Sequence, residues 1–333
     1  MRDAIAGHCR RGLSPDRAGF VLRARFPSLR RAGFALVVAA TLLVILDHLF
    51  PPPIPAAGHD GATLVLARDG TPLRAFANRA GVWRYPTAPE RVSPHYIEAL
   101  LGYEDRWFHR HPGVNPAAFA RAAWQALRNG RIVSGGSTLT MQVARLIEPT
   151  PRSGLGKLRQ VVRALQLERR LSKREILALY LDHAPFGGNI EGVEAASWAY
   201  LGKSAAKLSR AEAALLAVLP QAPSRLRPDR HPAAARAARD KVLARLRDLG
   251  TWSGAAYVEA QLEPVTARRL RAPMRAALLA ERLRAEQPLN AVIGTTIDAP
   301  LQAAIEARVA RTMSTCPSRA TAPKRAEPAD ATT

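Results

Sequence analysis

The stretch "LGKLRQVVRALQLERRLSKREILALYLD", residues 155–182, carries apolar side chains at spacings of three and four. Such spacing gathers those side chains on one face of a helix, so it predicts helices over Leu155–Leu171 and Lys173–Leu181. On another face of the first helix, Arg159 and Arg163 lie four residues apart and present charge to a site or to solvent. Two helices in direct succession indicate a domain that is mainly α.

The same helical period recurs on both sides of this stretch. It predicts five further helices, over Pro94–Gly102, Pro116–Asn129, Ser137–Ile147, Val193–Tyr200 and Ser209–Leu219. Ahead of them, the residues from Thr63 to Ala77 alternate around Asp69-Gly70, a dipeptide suited to a tight turn, and predict a β-hairpin. The expected fold class is therefore mainly α with a small β-hairpin.

Residues 32–50, "AGFALVVAATLLVILDHLF", form an apolar run. About 20 such residues cross a bilayer core as a helix, so the run predicts one transmembrane helix. Eight arginines lie in the basic leader, residues 1–31, and the positive-inside rule keeps that leader in the cytosol. Everything after Pro51 then faces the far side of the membrane. A buried helix of a soluble core and a cleaved signal peptide are the alternatives.

The overall charge of the chain points to anionic partners. With 333 residues the chain can bury a core without disulfides or metals, and its formal net charge of +22 favours nucleic acid, anionic lipid or pyrophosphate esters. Cys9 and Cys316 lie near opposite ends of the chain, without the spacing of a zinc site. The sequence thus argues against a disulfide framework and a structural zinc site.

The stretch "EDRWFHRHPG", residues 104–113, places two adjacent carboxylates ahead of two histidines. Glu104 and Asp105 are consistent with the acid/base centre of an enzyme, and equally with a solvated helix surface. His109 and His111 also permit a metal site, although helical residues two apart do not face one ligand point. Taken alone, this stretch leaves the three interpretations open.

A second stretch, "SGGSTLTMQVARL" at residues 134–146, predicts a helix start after a flexible turn. Ser137 or Thr138 can cap that helix and leave backbone N–H groups pointing outward, where such groups bind anions. A plain glycine turn and helix cap without a ligand explains the same residues.

These stretches occur in the order of a known family. From about Ala62 to Pro232 the chain resembles the glycosyltransferase family 51 domain, the peptidoglycan glycan polymerase module of bifunctional penicillin-binding proteins. The stretches that carry the resemblance are "EDRWFHRHPGVNP", "GGSTLTMQVAR", "KLRQVVRALQLERRLSKREILALYLDHAPFGGNIEGVEAASWAYLGK" and "LSRAEAALLAVLPQAPSRLRPDRHP". Met141 and the sequence "APFGG" are most similar to the penicillin-binding protein 1C type. The resemblance implies a lysozyme-like, two-lobed glycosyltransferase domain preceded by the transmembrane helix.

The resemblance also implies a reaction, the inverting transfer of a growing glycan from its undecaprenyl pyrophosphate carrier to the 4-hydroxyl of lipid II. Glu104 matches the catalytic glutamate and would be the general base for that hydroxyl. The same matching implies substrate-binding residues at Asp105, Phe108, His111, Gly113, Gly136, Ser137, Thr138, Gln142, Arg145, Lys157 and Gln160. Among them, His111 is expected to orient its neighbours by a hydrogen bond, and Lys157 to lie near the diphosphate.

Gln160 departs from the family pattern. Many members carry a second functional glutamate at this position, and a glutamine can neither titrate nor attract a metal or a lysine as a carboxylate does. The glutamine is similar to that of 1C-type members. No metal-ligating residue is assigned, and a divalent cation such as Mg²⁺ stays open as a cofactor, as does the strength of the polymerase activity.

The resemblance sets the expected domain boundaries. The glycosyltransferase domain is expected over residues 58–235, a helical linker region over 236–293, and the start of a truncated transpeptidase module with a disordered tail over 294–333. The one SxxK, Ser204 to Lys207, lies inside the glycosyltransferase motifs, and neither SxN nor KTG occurs. No transpeptidase activity is therefore expected.

The expected partners are lipid II, the undecaprenyl-pyrophosphate-linked glycan and the bacterial inner membrane, with cell-wall synthesis proteins left open. The expected location is a single-pass inner-membrane protein with a cytoplasmic N-terminus and a periplasmic catalytic domain. Nucleic acid is not expected, because the arginines lie in the leader and on helices without aromatic platforms. Two alternatives are a lysozyme-like enzyme that cleaves glycan and a membrane-anchored scaffold that binds lipid II without turnover.

Overall fold

The structure, a computed structural model, describes residues 26–55, 62–129, 136–151, 153–264, 267, 269–270 and 272–315. Most of the predicted basic leader and the predicted disordered tail from residue 316 onward lie outside the described residues, as do Cys9 and Cys316. The chain divides into two compact units, one that ends at Pro52 and one from Pro53 onward.

The first unit contains helix α1, Phe26–Leu49. Several of its apolar side chains, such as Phe34, Val37 and Leu42, are exposed. Among the described residues, no helix combines the length and the apolar character that crossing a membrane requires. The transmembrane helix predicted over residues 32–50 is therefore not confirmed.

The second unit is mainly helical, as the sequence predicts. Within the described residues its α-helices are α2 Pro94–Glu104, α3 Pro116–Asn129, α4 Leu139–Ile147, α5 Gly154–Arg170, α6 Lys173–His183, α7 Val193–Leu201, α8 Arg210–Val218, α9 Pro232–Asp248, α10 Gly254–Leu262, α11 Ala277–Glu286 and α12 Ala299–Thr315. Short 3₁₀ helices cover Pro89–Arg91, Phe108–Arg110, Ala205–Lys207 and Leu219–Gln221. The seven predicted helices are confirmed, with small differences at their ends.

The strands of the described residues form two small sheets. They are β1 Thr63–Leu66, β2 Pro72–Phe76, β3 Trp83–Arg84, β4 Pro185–Gly187, β5 Ile190–Glu191 and β6 Val292–Gly294. β1 and β2 pair antiparallel, with Thr63 opposite Phe76. Gly70 in their turn has a φ of +81°, which glycine adopts without strain. The predicted hairpin is confirmed.

Strand β6 has no counterpart in the sequence predictions. It pairs in parallel with β1, so the first sheet has the order β2-β1-β6. Val65, Leu73 and Ile293 of this sheet pack with Ala280 and Ala299 in a small second core. Residues from the predicted linker region and from the predicted transpeptidase start therefore fold together with the N-terminal hairpin.

The larger core is organised around α8. Its buried side chains cover nearly the whole circumference from Ala211 to Val218, so α8 runs through the interior. Helices α2 and α9 both pack against it. Gly102 of α2 allows α9 to approach closely, because a Cβ at this position would lie 2.5 Å from Leu246 Cδ2. Since α9 lies almost wholly in the predicted linker region, the core extends past the boundary expected at residue 235.

A capping box separates α5 from α6. Ser172 Oγ accepts a hydrogen bond from the backbone N–H of Glu175, and the Glu175 carboxylate accepts one from the Ser172 N–H at 2.8 Å. Helix α4 packs against both α5 and α6. This packing brings residues 136–146 next to the first residues of α5.

Candidate active site

Glu104 is the last residue of α2, where the helix ends at Asp105. Its Oε2 accepts a hydrogen bond from Gln142 Nε2 of α4 at 2.8 Å, and its Oε1 accepts one from Gln221 Nε2 at 2.8 Å. Gln221 ends the 3₁₀ helix that follows α8. The carboxylate is therefore held on both oxygens by amides from two separate elements.

The surroundings of Glu104 suit a group that accepts a proton near neutral pH. Burial raises the pKa of the Glu104 carboxyl above its ordinary value of 4.5. The hydrogen bonds from the two glutamine amides and the charge of Arg245 oppose that rise, whereas the charge of Asp105 adds to it. A sheltered carboxylate with these hydrogen bonds can act as a general base, because its pKa moves toward ambient pH while its ionised form stays stabilised.

Asp105 is buried and ties the first motif to α4. His111 Nε2 lies 3.0 Å from each carboxylate oxygen of Asp105, and the backbone N–H of Leu139 donates to Oδ2 at 2.9 Å. Asp105 thereby satisfies one of the free N–H groups at the start of α4. The hydrogen bond expected of His111 is present. Both residues hold the loop beside Glu104 in place, and their contact with a substrate stays a prediction.

Phe108 and Gly113, two further residues of the motif at residues 104–113, both pack closely against neighbouring elements. Phe108 is buried, and the Lys173 ammonium lies 4.6 Å from its ring centroid. Gly113 has a φ of +86°, and a Cβ there would lie 2.9 Å from the Ala164 carbonyl oxygen. The identities of both residues thus follow from packing and backbone conformation, whether or not either contacts a ligand.

The second motif begins α4, as the sequence predicts. Thr138 is the N-cap, because its Oγ1 accepts a hydrogen bond from a backbone N–H of the first turn at 3.2 Å. The same hydroxyl donates to the Gly113 carbonyl oxygen, which joins the two motifs. Gly136 and Ser137 precede the cap and are half-buried. The structure therefore assigns the cap to Thr138 and leaves Ser137 for another role.

Two cations at this part of the unit have no counter-ion among the described residues. Lys157 Nζ of α5 donates to Ser137 Oγ, and Arg145 of α4 is exposed. Burial lowers the pKa of the Lys157 amine, and the positive charge of Arg145 lowers it further. In the part of the chain that the structure describes, no carboxylate forms an ion pair with either residue. Two like charges near each other without a counter-ion favour an anionic ligand.

Gln160 lies buried on α5, and its Nε2 donates to Thr150 Oγ1 at 2.8 Å. The carboxylate of Glu148, two residues before Thr150, forms ion pairs with Arg159 and Arg163, the latter at 2.7 Å. Both arginines therefore pair with a carboxylate of the same unit, an outcome that differs from the two alternatives that the sequence left, a site or solvent.

The residues around Gln160 do not fit a divalent cation. Mg²⁺ takes oxygen ligands and is usually bound through carboxylates. Gln160 instead donates its amide N–H to a hydroxyl, and Glu148 is occupied by two guanidinium groups. In the described ranges, no three His, Cys, Asp or Glu side chains gather into a group that could hold a metal. Gln160 and Glu148 therefore already have partners within this chain.

Two residues near Glu104 are absent from the sequence predictions. Gln221 lies in "LPQAPS", where Pro220 signals the end of α8 but nothing marks the glutamine as functional. Arg245 lies on α9, and its Nε donates to the Gly102 carbonyl oxygen at 3.1 Å. It is one of many arginines in an Ala/Arg-rich stretch, so only the packing of α9 on α2 distinguishes it.

The residues of the candidate site lie within the range that matches a known protein family. Residues 69–247 match the family model described as Transglycosylase, and this range contains Glu104, both amides, both cations and Arg245. The chain belongs to the transglycosylase family. The resemblance seen in the sequence is thereby confirmed. The match ends inside α9, in keeping with the packing of α9 into the larger core of the transglycosylase.

Longer curated proteins are similar to this transglycosylase. Penicillin-binding protein 1C of Escherichia coli (strain K12) is 54% identical over 282 residues, which cover 83% of this chain and 36% of the relative. Penicillin-binding protein 1A of Aquifex aeolicus (strain VF5) is 39% identical over 187 residues, which cover 56% of this chain and 26% of the relative. The chain thus spans well under two thirds of the length of these relatives.

A crystal structure of penicillin-binding protein 1A from Haemophilus influenzae is a structural neighbour of the transglycosylase. It is 23% identical, and the aligned part covers 69% of this chain and 24% of that chain with a TM-score of 0.38. Similarity at this level is too low to align individual site residues.

Proposed function

We propose that this transglycosylase is a peptidoglycan glycosyltransferase that polymerises lipid II into glycan strands. The observation that supports the proposal most is the sheltered carboxylate of Glu104, held by two amides. The same unit holds two cations that have no counter-ion in the described ranges of the chain. Membership of the transglycosylase family and similarity to penicillin-binding proteins fit a glycan-building role. The proposed donor is an undecaprenyl-pyrophosphate-linked glycan, and the proposed acceptor is lipid II.

Glu104 acts as the general base in this proposal. The proton of the acceptor 4-hydroxyl passes to the Glu104 carboxylate while the hydroxyl oxygen bonds to the anomeric carbon of the donor. The bond from that carbon to the diphosphate oxygen breaks at the same time. Because the attack comes from the face opposite the leaving group, the anomeric carbon inverts and one carboxylate is sufficient.

The leaving diphosphate needs positive charge more than it needs an acid. Arg145 and Lys157 supply that charge, and the negative charge that develops in the transition state relieves their mutual repulsion. The Ser137 hydroxyl accepts a hydrogen bond from Lys157 Nζ and is free to donate its own proton to the same phosphate oxygens.

The finer fold assignment, a lysozyme-like domain of two lobes, belongs to the same proposal. A glycan-cleaving enzyme would also use one glutamate. It would have no anionic leaving group, however, and so no use for the positive charges of Arg145 and Lys157. This difference favours the transferase.

An assay with lipid II and the purified full chain tests the function. We expect the wild type to form glycan polymer, and the Glu104→Gln variant to bind lipid II without forming polymer. Shortening of preformed glycan without polymer formation would instead indicate the cleaving enzyme. Lipid II binding by both proteins, with no polymer from either, would indicate a scaffold.

The proposed location is the bacterial inner membrane, with a single span, a cytoplasmic N-terminus and a periplasmic catalytic unit. The arginines of the leader and the exposed apolar side chains of α1 support it. Single-cysteine variants test the orientation in intact spheroplasts with a membrane-impermeant thiol reagent. After Cys9→Ser, the remaining Cys316 should be labelled. After Cys316→Ser, labelling of Cys9 before lysis would overturn the proposal.

A further inference from the structure

We propose that Gln221 is a positioning residue for the general base, because its side-chain amide fixes one oxygen of Glu104 while Gln142 fixes the other. The inference rests on the proposed function of Glu104. It extends that function to a residue outside the motifs at residues 104–113 and 134–146. Gln142 belongs to the second of these motifs, whereas Gln221 comes from the turn after the central helix α8.

The orientation of the Gln221 amide follows from its second contact. The Tyr103 hydroxyl lies 3.5 Å from Gln221 Oε1 and donates to it over this long distance. With Oε1 facing a donor, the NH₂ group is the part of the amide that faces Glu104. The backbone supports this arrangement, because the N–H of Ala222 donates to the Leu219 carbonyl oxygen and closes the 3₁₀ turn.

Five other charged or titratable groups among the described residues interact electrostatically with Glu104. Asp105 follows it in the chain, Arg245 reaches it from α9, and Tyr103 lies beside it at the end of α2. Tyr96 of α2 and Tyr180 of α6 also interact electrostatically with the Glu104 carboxylate. Burial raises the pKa of both phenols well above their ordinary value, so neither titrates in the range where a carboxylate does.

Gln221 therefore has a specific effect on the base. Its N–H stabilises the ionised carboxylate and opposes the effect of burial on the pKa of Glu104. Without this donor, Oε1 of Glu104 loses its hydrogen bond, and the protonated form of the carboxyl becomes more favourable relative to the ionised form. We expect the acid limb of the pH profile of kcat/KM to move upward by about one pH unit in Gln221→Ala.

The test measures kcat/KM for lipid II polymerisation against pH in the full-length wild type, Gln221→Ala and Gln221→Glu. The glutamate variant should shift the acid limb further than the alanine variant, because two carboxylates then share one place. Gln302→Ala is the matched control, since Gln302 Nε2 also donates to a carboxylate, that of Glu306, at 2.7 Å. Its acid limb should stay at the wild-type position.

A rate loss in Gln221→Ala without movement of the acid limb would overturn the proposal, because a merely structural role lowers the rate at all pH values. A carboxyl ¹³C NMR titration of Glu104, identified by its loss in Glu104→Gln, reports the same pKa without any turnover. If the wild type forms no polymer but Gln221→Ala raises this pKa, the proposed function fails, and only the hydrogen bond from Gln221 to Glu104 is supported. If polymer forms and the pKa is unchanged, the positioning role fails alone.

Discussion

The candidate site has two parts that differ in how their charges are paired, a first end around Glu104 and a second end around Lys157 and Arg145. At the first end, both oxygens of Glu104 accept hydrogen bonds and Arg245 lies nearby. At the second end, Lys157 and Arg145 repel each other, and within the described residues Lys157 has only the Ser137 hydroxyl as a partner. The first end is complete without a ligand, whereas an anionic ligand completes the second. The comparison indicates a base oriented in advance and a cationic end whose repulsion the leaving group relieves.

The largest expected effect comes from the first end. Glu104→Gln keeps the size of the side chain but removes the proton acceptor, so kcat for lipid II polymerisation should fall by about 1,000-fold. Glu90→Gln is the control, because Glu90 is an exposed surface carboxylate paired with Arg174, and this variant should keep the wild-type rate. A Glu104→Gln rate within tenfold of the wild type would show that another group accepts the proton.

A somewhat smaller effect is expected at the second end. Lys157→Met removes one of the two charges that the proposed reaction assigns to the leaving diphosphate, and kcat should fall by about 100-fold. The exposed Lys241 on α9 offers the control Lys241→Met, which should leave kcat unchanged. Equal rates in both variants would remove the basis for assigning an anionic leaving group to this end.

A substitution that disturbs the packing of α2 on α9 should affect the end around Glu104 and leave the end around Lys157 and Arg145 unchanged. Gly102→Ala places a Cβ against Leu246 on α9, which should lower the free energy of unfolding by about 1–3 kcal/mol and displace Arg245 from Glu104. The midpoint of thermal unfolding and the affinity for inorganic pyrophosphate are the measurements, and the affinity should be unchanged. Gly254→Ala is the control, since a Cβ at Gly254 meets nothing within 4 Å. Loss of pyrophosphate affinity in Gly102→Ala would show that the two ends are coupled.

The smallest effect concerns stability against pH. Because burial raises the pKa of Glu104 in the folded chain, its protonation contributes stability that is fully present below the unfolded value of 4.5 and is lost as pH rises through the folded pKa. Glutamine has no such dependence. Glu104→Gln should therefore match the wild type in thermal unfolding at about pH 4 and exceed it at about pH 7. A variant less stable than the wild type at neutral pH would contradict the assigned cause.

The sequence predicts the parts of this fold that depend on local order. The helical period identified α5 and α6 with small errors at their ends, and Asp69-Gly70 identified the hairpin turn. Glu104 could be found because it lies in a motif that is contiguous in the chain. The choice between Ser137 and Thr138 as helix cap needed the structure, since both residues have suitable hydroxyls.

The missed parts depend on contacts between distant segments. Gln221 lies 117 residues after the carboxylate that it contacts, in an exposed turn where glutamine is unremarkable by itself. Strand β6 spans only Val292–Gly294, too short for an alternating pattern to show, and its pairing with β1 determines it. No local spacing could have revealed either feature, because in each case the partner defines the role.

For the design of inhibitors, the pair formed by Lys157 and Arg145 suggests where affinity is easiest to gain. A compound with a compact dianionic headgroup, such as a bisphosphonate, would pair with charge that has no counter-ion among the described residues. A compound that approached Glu104 with a donor of its own would first have to displace an amide at 2.8 Å. Medicinal chemistry on this enzyme should therefore start from the phosphate mimic and extend toward the sugar.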